Sequence, residues 1–288
     1  MNSIHANRMP KESIKKVFRF LIPLPLRKRL AVWVYRLNWG NSNRNEWWTL
    51  ELLRDFVEKD INEYHKFLWS QHMAYAKTYE PGLRFGHENM EASRKIFFSE
   101  LKDLLVKSNV NPGTDISTVC EVGCSLGYQL RYLETDLFTG ARELRGIDID
   151  RYAIAAGAAY LRDVRSKVDL VCADMEALET VMGNRTYDVM VCTGTLMYLN
   201  EKSAAHVVDV MLRHTGTVLA IAGLAHPATD NCLLQQSTIR EQDKSFIHNL
   251  DFMVKKSGGN IMARRWDGNQ MVGGHTIYFV YAARNTNK

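Results

Sequence analysis

Two glycines and two acids in this 288-residue chain lie at spacings that suit a nucleoside ligand. Glu121, Gly123 and Gly127 fall within the run V-C-E-V-G-C-S-L-G-Y-Q-L-R-Y over 119–132, and Asp148 follows about 20 residues later. At that spacing an acid on a second strand accepts hydrogen bonds from ribose hydroxyls, because one carboxylate can accept both bonds of a vicinal diol. The pattern therefore predicts a nucleoside site between two strand ends.

A strand, a tight turn and a helix must hold these groups in place. The apolar run 116–122 predicts a strand, Gly123 lets the backbone turn without a Cβ clash, and an amphipathic helix follows. Gly127 would let a ligand approach the opening helix closely, and Glu121 would lie at the strand end, where α/β folds bind their ligands. The run 144–150 predicts the second strand.

A dinucleotide site is the main alternative at this turn. Its fingerprint, G-x-G-x-x-G, requires glycine at the positions that Ser125 and Tyr128 occupy here. A pyrophosphate on the helix N-terminus would also gain nothing from the neighbouring Glu121. A sulfonium cofactor that carries an ammonium group is the better electrostatic match.

Through these residues, the chain resembles the class I S-adenosylmethionine-dependent methyltransferases over residues 88–283. The family's first motif, E/D-x-G-x-G-x-G, stands here as Glu121, Gly123, Ser125 and Gly127. Serine at the middle glycine position is a small departure from that motif. The resemblance implies S-adenosylmethionine as the cofactor, with Cys124 contributing a backbone contact in the loop.

Later segments extend the resemblance. It implies that Asp174 accepts a hydrogen bond from the adenine amine, that Met175 lies near the ring and that Ile149 packs on the other ring face. Thr193, at the end of a predicted fourth strand, would lie beside the reactive methyl group. Structural alternatives stay open, because the glycines could be simple turn residues and Asp174 could cap a short helix.

Two further acids are predicted to be structural. Asp150 suits the N-cap of a helix over 151–161, which leaves Asp148 available for the ligand. Asp188 lies where the family often has an acid that does not touch the cofactor.

The order of strand and helix patterns predicts an α/β fold with a Rossmann-like, doubly wound sheet and an N-terminal helical extension. The β-α units should continue to a fifth strand over 216–222, followed by a helix over 246–256. Two final strands, over 259–267 and 275–282, should form the antiparallel hairpin that the resemblance implies for a mostly parallel sheet.

The loop after the fifth strand faces the acceptor in the family that the chain resembles. His226 is the predicted general base because histidine titrates near neutral pH, and Asp230 would orient it or act in its place. Alternatively, His226 caps a turn within the loop. Arg240 could bind an anionic acceptor or form a surface ion pair, and His248 and Tyr79 are further predicted substrate-binding residues.

Positive charge is concentrated in the first 50 residues, which carry ten Lys and Arg residues against two acids in a chain of net charge +5. We expect residues 1–87 to form a basic arm and helical cap, and residues 88–288 to form the cofactor-binding domain. A helix over 25–37 would carry leucines and Trp33 on one face, with Arg29 and Arg36 roughly opposite. Residues 11–37 are therefore a candidate for peripheral contact with an anionic membrane. Docking on the protein's own core, or on a second subunit in a homodimer, is the alternative.

The remaining composition is typical of a reduced, cytoplasmic globular enzyme. Hydrophobic residues make up 46% of the chain, and its five cysteines lack zinc or C-x-x-C spacing, so we expect no metal site. No signal peptide or membrane-spanning run is recognisable, which leaves the inner membrane face as the expected place of any peripheral contact. The fourth strand is followed by T-G-T-L-M-Y and not by N-P-P-Y, which argues against DNA as the acceptor.

These observations predict methyl transfer to a hydroxyl of a small molecule or glycan. The segments S-F-I-H-N and H-T-I-Y-F-V-Y-A resemble methyltransferases encoded with bacterial surface-polysaccharide genes, which implies a sugar acceptor, including a lipid-linked one. An amine or RNA acceptor is one alternative, and an amine would need no general base. A non-catalytic cofactor-binding partner subunit is the other.

Overall fold

Two compact units, Met1–Tyr64 and His65–Lys288, make up the computed structural model of the chain. The structure describes residues 21–37, 42–73, 85–86 and 90–285. The division between the units falls after Tyr64, whereas the sequence predicted a boundary after residue 87. Within the described ranges, no helix combines the length and the apolar character that a membrane crossing requires.

The first unit is built from paired helices. Helix α1 (Leu24–Leu37) packs on α2 (Ser42–Lys59), and α3 (Ile61–Ser70) begins at the end of this unit. Proline is tolerated in the first turn of α1 because the backbone N–H groups there have no partner within a helix. Arg27 of α1 is buried, and its Nη1 donates to the carbonyl oxygen of Leu52 at 3.2 Å.

A seven-stranded sheet forms the centre of the second unit. The described residues of this unit form nine strands, which are β1 (Thr118–Val122), β2 (Glu143–Asp148), β3 (Val168–Cys172), β4 (Tyr187–Thr193), β5 (Thr215–Gly223), β6 (Thr238–Arg240), β7 (Ser245–Ile247), β8 (Gly259–Val272) and β9 (His275–Arg284). The sheet has the order β3-β2-β1-β4-β5-β9-β8, and β6 pairs with β7 in a separate hairpin. Strands β1 to β5 are parallel, while β9 is antiparallel to both β5 and β8. The predicted fold class is confirmed.

Helices cover both faces of the sheet. They are α4 (Ala92–Lys107), α5 (Tyr128–Tyr132), α6 (Arg151–Asp163), α7 (Leu178–Met182), α8 (Glu201–Arg213) and α9 (Leu250–Lys256). Side chains of β4 alternate between the two faces, as the period of a strand requires. Met190 belongs to the cluster that includes Val207 of α8, whereas its neighbour Val191 belongs to the cluster that includes Phe97 of α4. Burial on both faces explains the nearly continuous apolar sequence of this strand.

The segment after β5 differs from the prediction of one helix over 246–256. Ser245–Ile247 pairs with Thr238–Arg240, and α9 begins only at Leu250, where Asn249 accepts the N–H of Phe252 at 2.9 Å. The aromatic and β-branched pair at 246–247 suits a strand, and the cap at 249 marks the true helix start. The sequence analysis missed the β6–β7 hairpin because strand β7 ends only two residues before helix α9 begins, so the two elements were read as one helix.

Asp150 and Asp188 are structural, as predicted. Asp150 caps α6 by accepting the N–H groups of Tyr152 and Ala153 at 3.0 and 3.1 Å. Asp188 accepts the N–H groups of Ser117 and Thr118 at 2.7 and 2.9 Å, which joins the start of β4 to the start of β1.

Candidate functional site

The turn between β1 and α5 has left-handed backbone at Gly123, Ser125 and Gly127, with φ values of 79°, 51° and 79°. A Cβ at Gly123 would lie 2.2 Å from Oγ1 of Thr195, so the turn requires glycine there. A Cβ at Gly127 would come within 2.9 Å of Leu170 on β3. Gly127 therefore allows close packing between helix and strand. Its predicted role in the approach of the ligand stays a prediction.

Asp148 ends β2 beside this turn. Its Oδ2 accepts the N–H of Ser125 at 2.7 Å, and its Oδ1 accepts the N–H of Asp150 at 2.8 Å. Burial raises the pKa of Asp148, and the two backbone hydrogen bonds act in the opposite direction. Each carboxylate oxygen has a second lone pair, so Asp148 can hold the turn and still accept hydrogen bonds from a diol.

A cavity of about 420 Å³ lies at the carboxyl ends of the parallel strands, where open α/β sheets bind their ligands. Eight of the ten predicted cofactor-binding residues line it: Gly123, Cys124, Ser125, Asp148, Ile149, Asp174, Met175 and Thr193. Glu121 and Gly127 are not among the described residues that line the cavity. Burial raises the pKa of the Cys124 thiol, which keeps this loop residue neutral.

Glu121 lies within β1, beneath the cavity and not on its wall. It is fully buried, and neither carboxylate oxygen accepts a hydrogen bond from the described residues. Burial raises the pKa of Glu121 to about 8, and the positive charge of Arg94 opposes that change. Arg94, on α4, lines the cavity. Glu121 is therefore a buried carboxyl group that keeps its proton near neutral pH in the ligand-free protein. Its direct contact with the cofactor stays a prediction.

Asp174, at the end of β3, combines two roles. Its Oδ1 accepts the N–H of Glu176 at 2.9 Å and caps a short 3₁₀ turn, which is the structural alternative considered for it. It also forms an ion pair with Lys66 of α3, and this hydrogen bond raises the pKa of the Lys66 ammonium. Asp174 also lines the cavity. One of its carboxylate oxygens accepts the N–H of Glu176, and the other forms the ion pair with Lys66.

Thr193, at the end of β4, is held by a glutamine that the sequence did not single out. Gln129 donates from Nε2 to Oγ1 of Thr193 at 2.9 Å, and both side chains are buried and line the cavity. This bond joins the first turn of α5 to the end of β4. The hydrogen bond therefore holds together two parts of the cavity wall, the helix that follows the glycine turn and the end of β4.

The two predicted catalytic residues are engaged away from the cavity. The Nδ1 of His226 accepts the N–H groups of Thr229 and Ala228 at 3.0 and 3.3 Å, which is the turn-capping alternative. Asp230 forms a bidentate ion pair with Arg264, and this pairing lowers the pKa of Asp230. The described residues of the cavity wall include neither side chain. This geometry does not support a general base at either position, because a base must reach the proton that it removes.

The predicted substrate-binding residues separate into three cases. Arg240 lines the cavity, where its Nε donates to Oδ1 of Asp243 at 3.0 Å. His248 is buried, with Ser237 Oγ 2.7 Å from Nδ1 and the Leu196 carbonyl oxygen 3.0 Å from Nε2. Burial lowers the pKa of His248, which favours the neutral ring. Through its two nitrogens the ring connects Ser237 with the backbone at Leu196, which is a structural role. Tyr79 lies outside the described residues.

A histidine and a glutamate that the sequence analysis missed lie together on the cavity wall. Nε2 of His275, the first residue of β9, lies 3.3 Å from Oε2 of Glu91, which precedes α4. The same cavity is also lined by Trp69 and Tyr198, whose ring centroids are 5.1 Å apart. The only sequence signal was a titratable residue at the start of a predicted strand, and the place of β9 in the sheet gives that residue its position.

The donor set of the cavity fits S-adenosylmethionine. Asp148 suits a ribose diol, Asp174 suits an amine, and the Arg94 guanidinium suits a carboxylate. The buried Nε of Arg94 and both oxygens of Glu121 have no hydrogen-bond partner among the described residues. Such orphaned polar groups beside a cavity are expected where a charged ligand completes the site. The described part of the chain contains no His, Cys, Asp and Glu cluster suited to a metal ion.

Comparisons with known proteins agree with this assignment. Residues 119–216 match the family model described as a methyltransferase domain. The magnesium protoporphyrin IX methyltransferase of Synechocystis PCC 6803, crystallised with bound SAM, superposes with a TM-score of 0.52 at 14% identity, over 78% of this chain and 98% of that chain. A SAM-dependent methyltransferase of Leishmania major superposes with a TM-score of 0.57 at 13% identity, over 81% and 89%. A search of curated proteins found no match. At these identities the structural likeness shows the fold alone, and the domain match carries the enzyme class.

Proposed function

We propose that this S-adenosylmethionine-dependent methyltransferase transfers its methyl group to a hydroxyl of a small molecule or glycan. The observation that carries the proposal is the contact between His275 and Glu91, 3.3 Å apart on the same cavity wall as the cofactor-binding residues. A hydroxyl must lose a proton when it is methylated, and a histidine beside a carboxylate is a group that can take it.

The strand order supports an acceptor near His275. Asp148 ends β2 and Asp174 follows β3, both on one side of β1, and these acids would hold the nucleoside part of the cofactor. Thr193 and Gly223 end β4 and β5 on the other side of β1, and β9, which begins at His275, pairs with the end of β5 through Tyr278. Thr276 follows His275 in β9, and its Oγ1 accepts the N–H of Ala225 at 3.1 Å. This hydrogen bond joins the segment after β5 to the start of β9.

The proton would move to Nδ1 of His275. Glu91 faces Nε2 and favours the tautomer that carries its proton on that nitrogen, so Nδ1 keeps the lone pair. Glu91 would also stabilise the imidazolium that forms. S-adenosylmethionine supplies the methyl group on a positively charged sulfur. The protein's own contribution is to align the hydroxyl and to accept its proton.

The remaining wall residues favour a polyhydroxylated acceptor. Arg240, Gln242 and Asp243 bring donors and acceptors, while Trp69 and Tyr198 bring aromatic surface to the same cavity. Aromatic faces beside fixed polar groups suit a sugar ring, which has apolar C–H faces and hydroxyl edges. We therefore favour a glycan, free or lipid-linked, as the first acceptor class. Tyr79 remains a proposed substrate contact.

The test is turnover of the full chain with hydroxyl acceptors, starting with sugars and lipid-linked sugars, and with amines as the competing class. His275→Ala should lower kcat by about 100-fold or more while leaving S-adenosylmethionine binding within about threefold. The matched control is His226→Ala, which should keep kcat within about threefold because that ring caps a turn. The pH–rate profile of His275→Ala should also lose its acidic limb.

Three results would overturn the proposal. The first is methylation of amines and of no hydroxyl acceptor. The second is full turnover in His275→Ala with loss in His226→Ala. The third is loss of cofactor binding in His275→Ala, which would give that residue a binding role and not a role in proton transfer.

A further inference from the structure

Helix α1 exposes its apolar side chains to solvent. Leu26, Trp33 and Leu37 are 49%, 59% and 57% exposed, and the spacing of seven and four residues brings them onto one stripe of the helix. Arg29 and Arg36 are also exposed and flank this stripe on one side, whereas the sequence predicted them on the roughly opposite face. These five residues are called the outer face of α1 below. Isolated exposed leucines are common, but three large apolar side chains in line on one short helix need an explanation.

The opposite face of α1 is the one that packs within the first unit. Arg27 and Ala31 are its buried residues. The Arg27 guanidinium donates to the carbonyl oxygens of Ile22 and Leu52 at 3.0 and 3.2 Å and lies 3.2 Å from Oδ2 of Asp55. A surface helix normally turns its apolar stripe inward and its cations outward. Here the contacts of Arg27 fix the reverse orientation, so the apolar stripe does not serve the core of the unit.

We propose that the outer face of α1 binds an anionic lipid surface. Trp33 and the two leucines would enter the interfacial layer, where tryptophan is favoured because its ring is apolar and its N–H is polar. Arg29 and Arg36 border a shallow groove of about 250 Å³ with Val32, Trp33 and Leu37, and their guanidinium groups would contact lipid phosphates. The excess of basic residues in the first 50 positions adds attraction to such a surface.

Charge favours a lipid surface over a second copy of this chain. A two-fold interface through the outer face would bring Arg29 and Arg36 of one copy against the same arginines of the other. Like charges that face each other across an interface are costly. An anionic surface instead satisfies the apolar stripe and the arginines together. The proposal is independent of the acceptor and of the proposed base.

The test is cosedimentation of the full chain with vesicles of phosphatidylcholine alone or mixed with phosphatidylglycerol. We expect binding to the anionic vesicles that weakens as salt is added. Arg29→Gln and Arg36→Gln should each weaken it about fivefold, since one basic residue near the surface contributes about 1 kcal/mol. The double variant Trp33→Ser/Leu37→Ser should abolish it.

The matched controls are Leu233→Ser and Arg162→Gln, which change an exposed leucine and an exposed arginine of the second unit and should bind as the wild type does. Circular dichroism checks the fold of each variant, and the substituted side chains are all exposed. Equal binding by the outer-face variants, or no binding of the wild type to anionic vesicles, would overturn the proposal. So would dissociation of an oligomer by the outer-face variants in analytical ultracentrifugation, which would assign this face to contact between copies.

Discussion

The Asp148 carboxylate holds the cofactor turn by accepting the N–H of Ser125 at 2.7 Å. The acid that suits the ribose diol is thus also the acid that shapes the loop beside it. Because its other oxygen accepts the N–H of Asp150, the carboxylate is fixed at both ends before any ligand is present. The site is therefore preorganised, and less binding free energy is lost to ordering the loop.

Asp148→Ala should weaken S-adenosylmethionine binding by about 10- to 100-fold, the effect of losing charge-assisted hydrogen bonds worth about 1.5–3 kcal/mol. Isothermal titration calorimetry measures the change. The matched control is Asp169→Ala on β3, whose side chain is 68% exposed, and it should bind normally. Unchanged affinity in Asp148→Ala would contradict the assignment of the ribose contact.

Ser125→Gly should raise the free energy of unfolding by about 0.5–1 kcal/mol. Ser125 has a φ of 51°, a conformation that costs a residue with a Cβ about 1–2 kcal/mol, and the extra chain entropy of glycine offsets part of the gain. Chemical denaturation provides the measurement. Ser257→Gly is the control, because its φ of −78° is ordinary and the same change should bring no gain there. If Ser125→Gly lowers the free energy of unfolding more than Ser257→Gly does, the prediction is wrong and the serine hydroxyl stabilises the turn.

Glu121→Gln should make the ligand-free protein more stable at high pH and leave it unchanged near pH 4. Burial raises the pKa of Glu121 from 4.5 to about 8, so the folded state keeps a proton that the unfolded chain releases between these values. The wild type therefore loses stability as pH rises through that window, and the glutamine variant does not. The difference should reach on the order of 3–5 kcal/mol above pH 8. Denaturation curves at several pH values measure it, and a difference that does not change with pH would contradict the raised pKa.

Arg264→Met should lower the free energy of unfolding by about 3 kcal/mol, because it leaves a buried carboxylate unpaired. Arg264 Nε lies 2.9 Å from Oδ1 of the buried Asp251, which also accepts the hydroxyl of Tyr278 at 2.5 Å. The control Arg265→Met breaks pairs with more exposed acids and should cost about 1 kcal/mol or less. Thermal and chemical denaturation would measure both losses, and equal losses would contradict the role of Asp251.

The cofactor half of the cavity was predictable from sequence because its residues lie at the ends of consecutive strands. Glycine turns and strand-end acids leave a local pattern, and eight of those predicted residues line one cavity. Glu121 differs because the pattern gives its position on the strand but not the depth of its side chain, which depends on packing under α4.

The acceptor half was not predictable in the same way. His226 lies on the expected loop, but its ring turns back to the N–H groups of Ala228 and Thr229, a choice set by the local turn. Glu91 and His275 come from distant parts of the chain, and only the insertion of β9 beside β5 brings them together. No spacing rule in the sequence connects two residues that are brought together by an antiparallel strand inserted between β5 and β8.

The position of β9 between β5 and β8 has a consequence for biosynthesis. Segment 224–274 separates β5 from the strand that pairs with it, so a nascent chain that has folded β1 to β5 still presents an open hydrogen-bonding edge along β5. Exposed edges of this kind pair readily with other chains. The period between synthesis of residues 223 and 284 should therefore be the interval in which the growing protein depends most on chaperones. Because His275 is the first residue of β9, a chain that lacks β9 would lack both the strand that pairs with β5 and its proposed base.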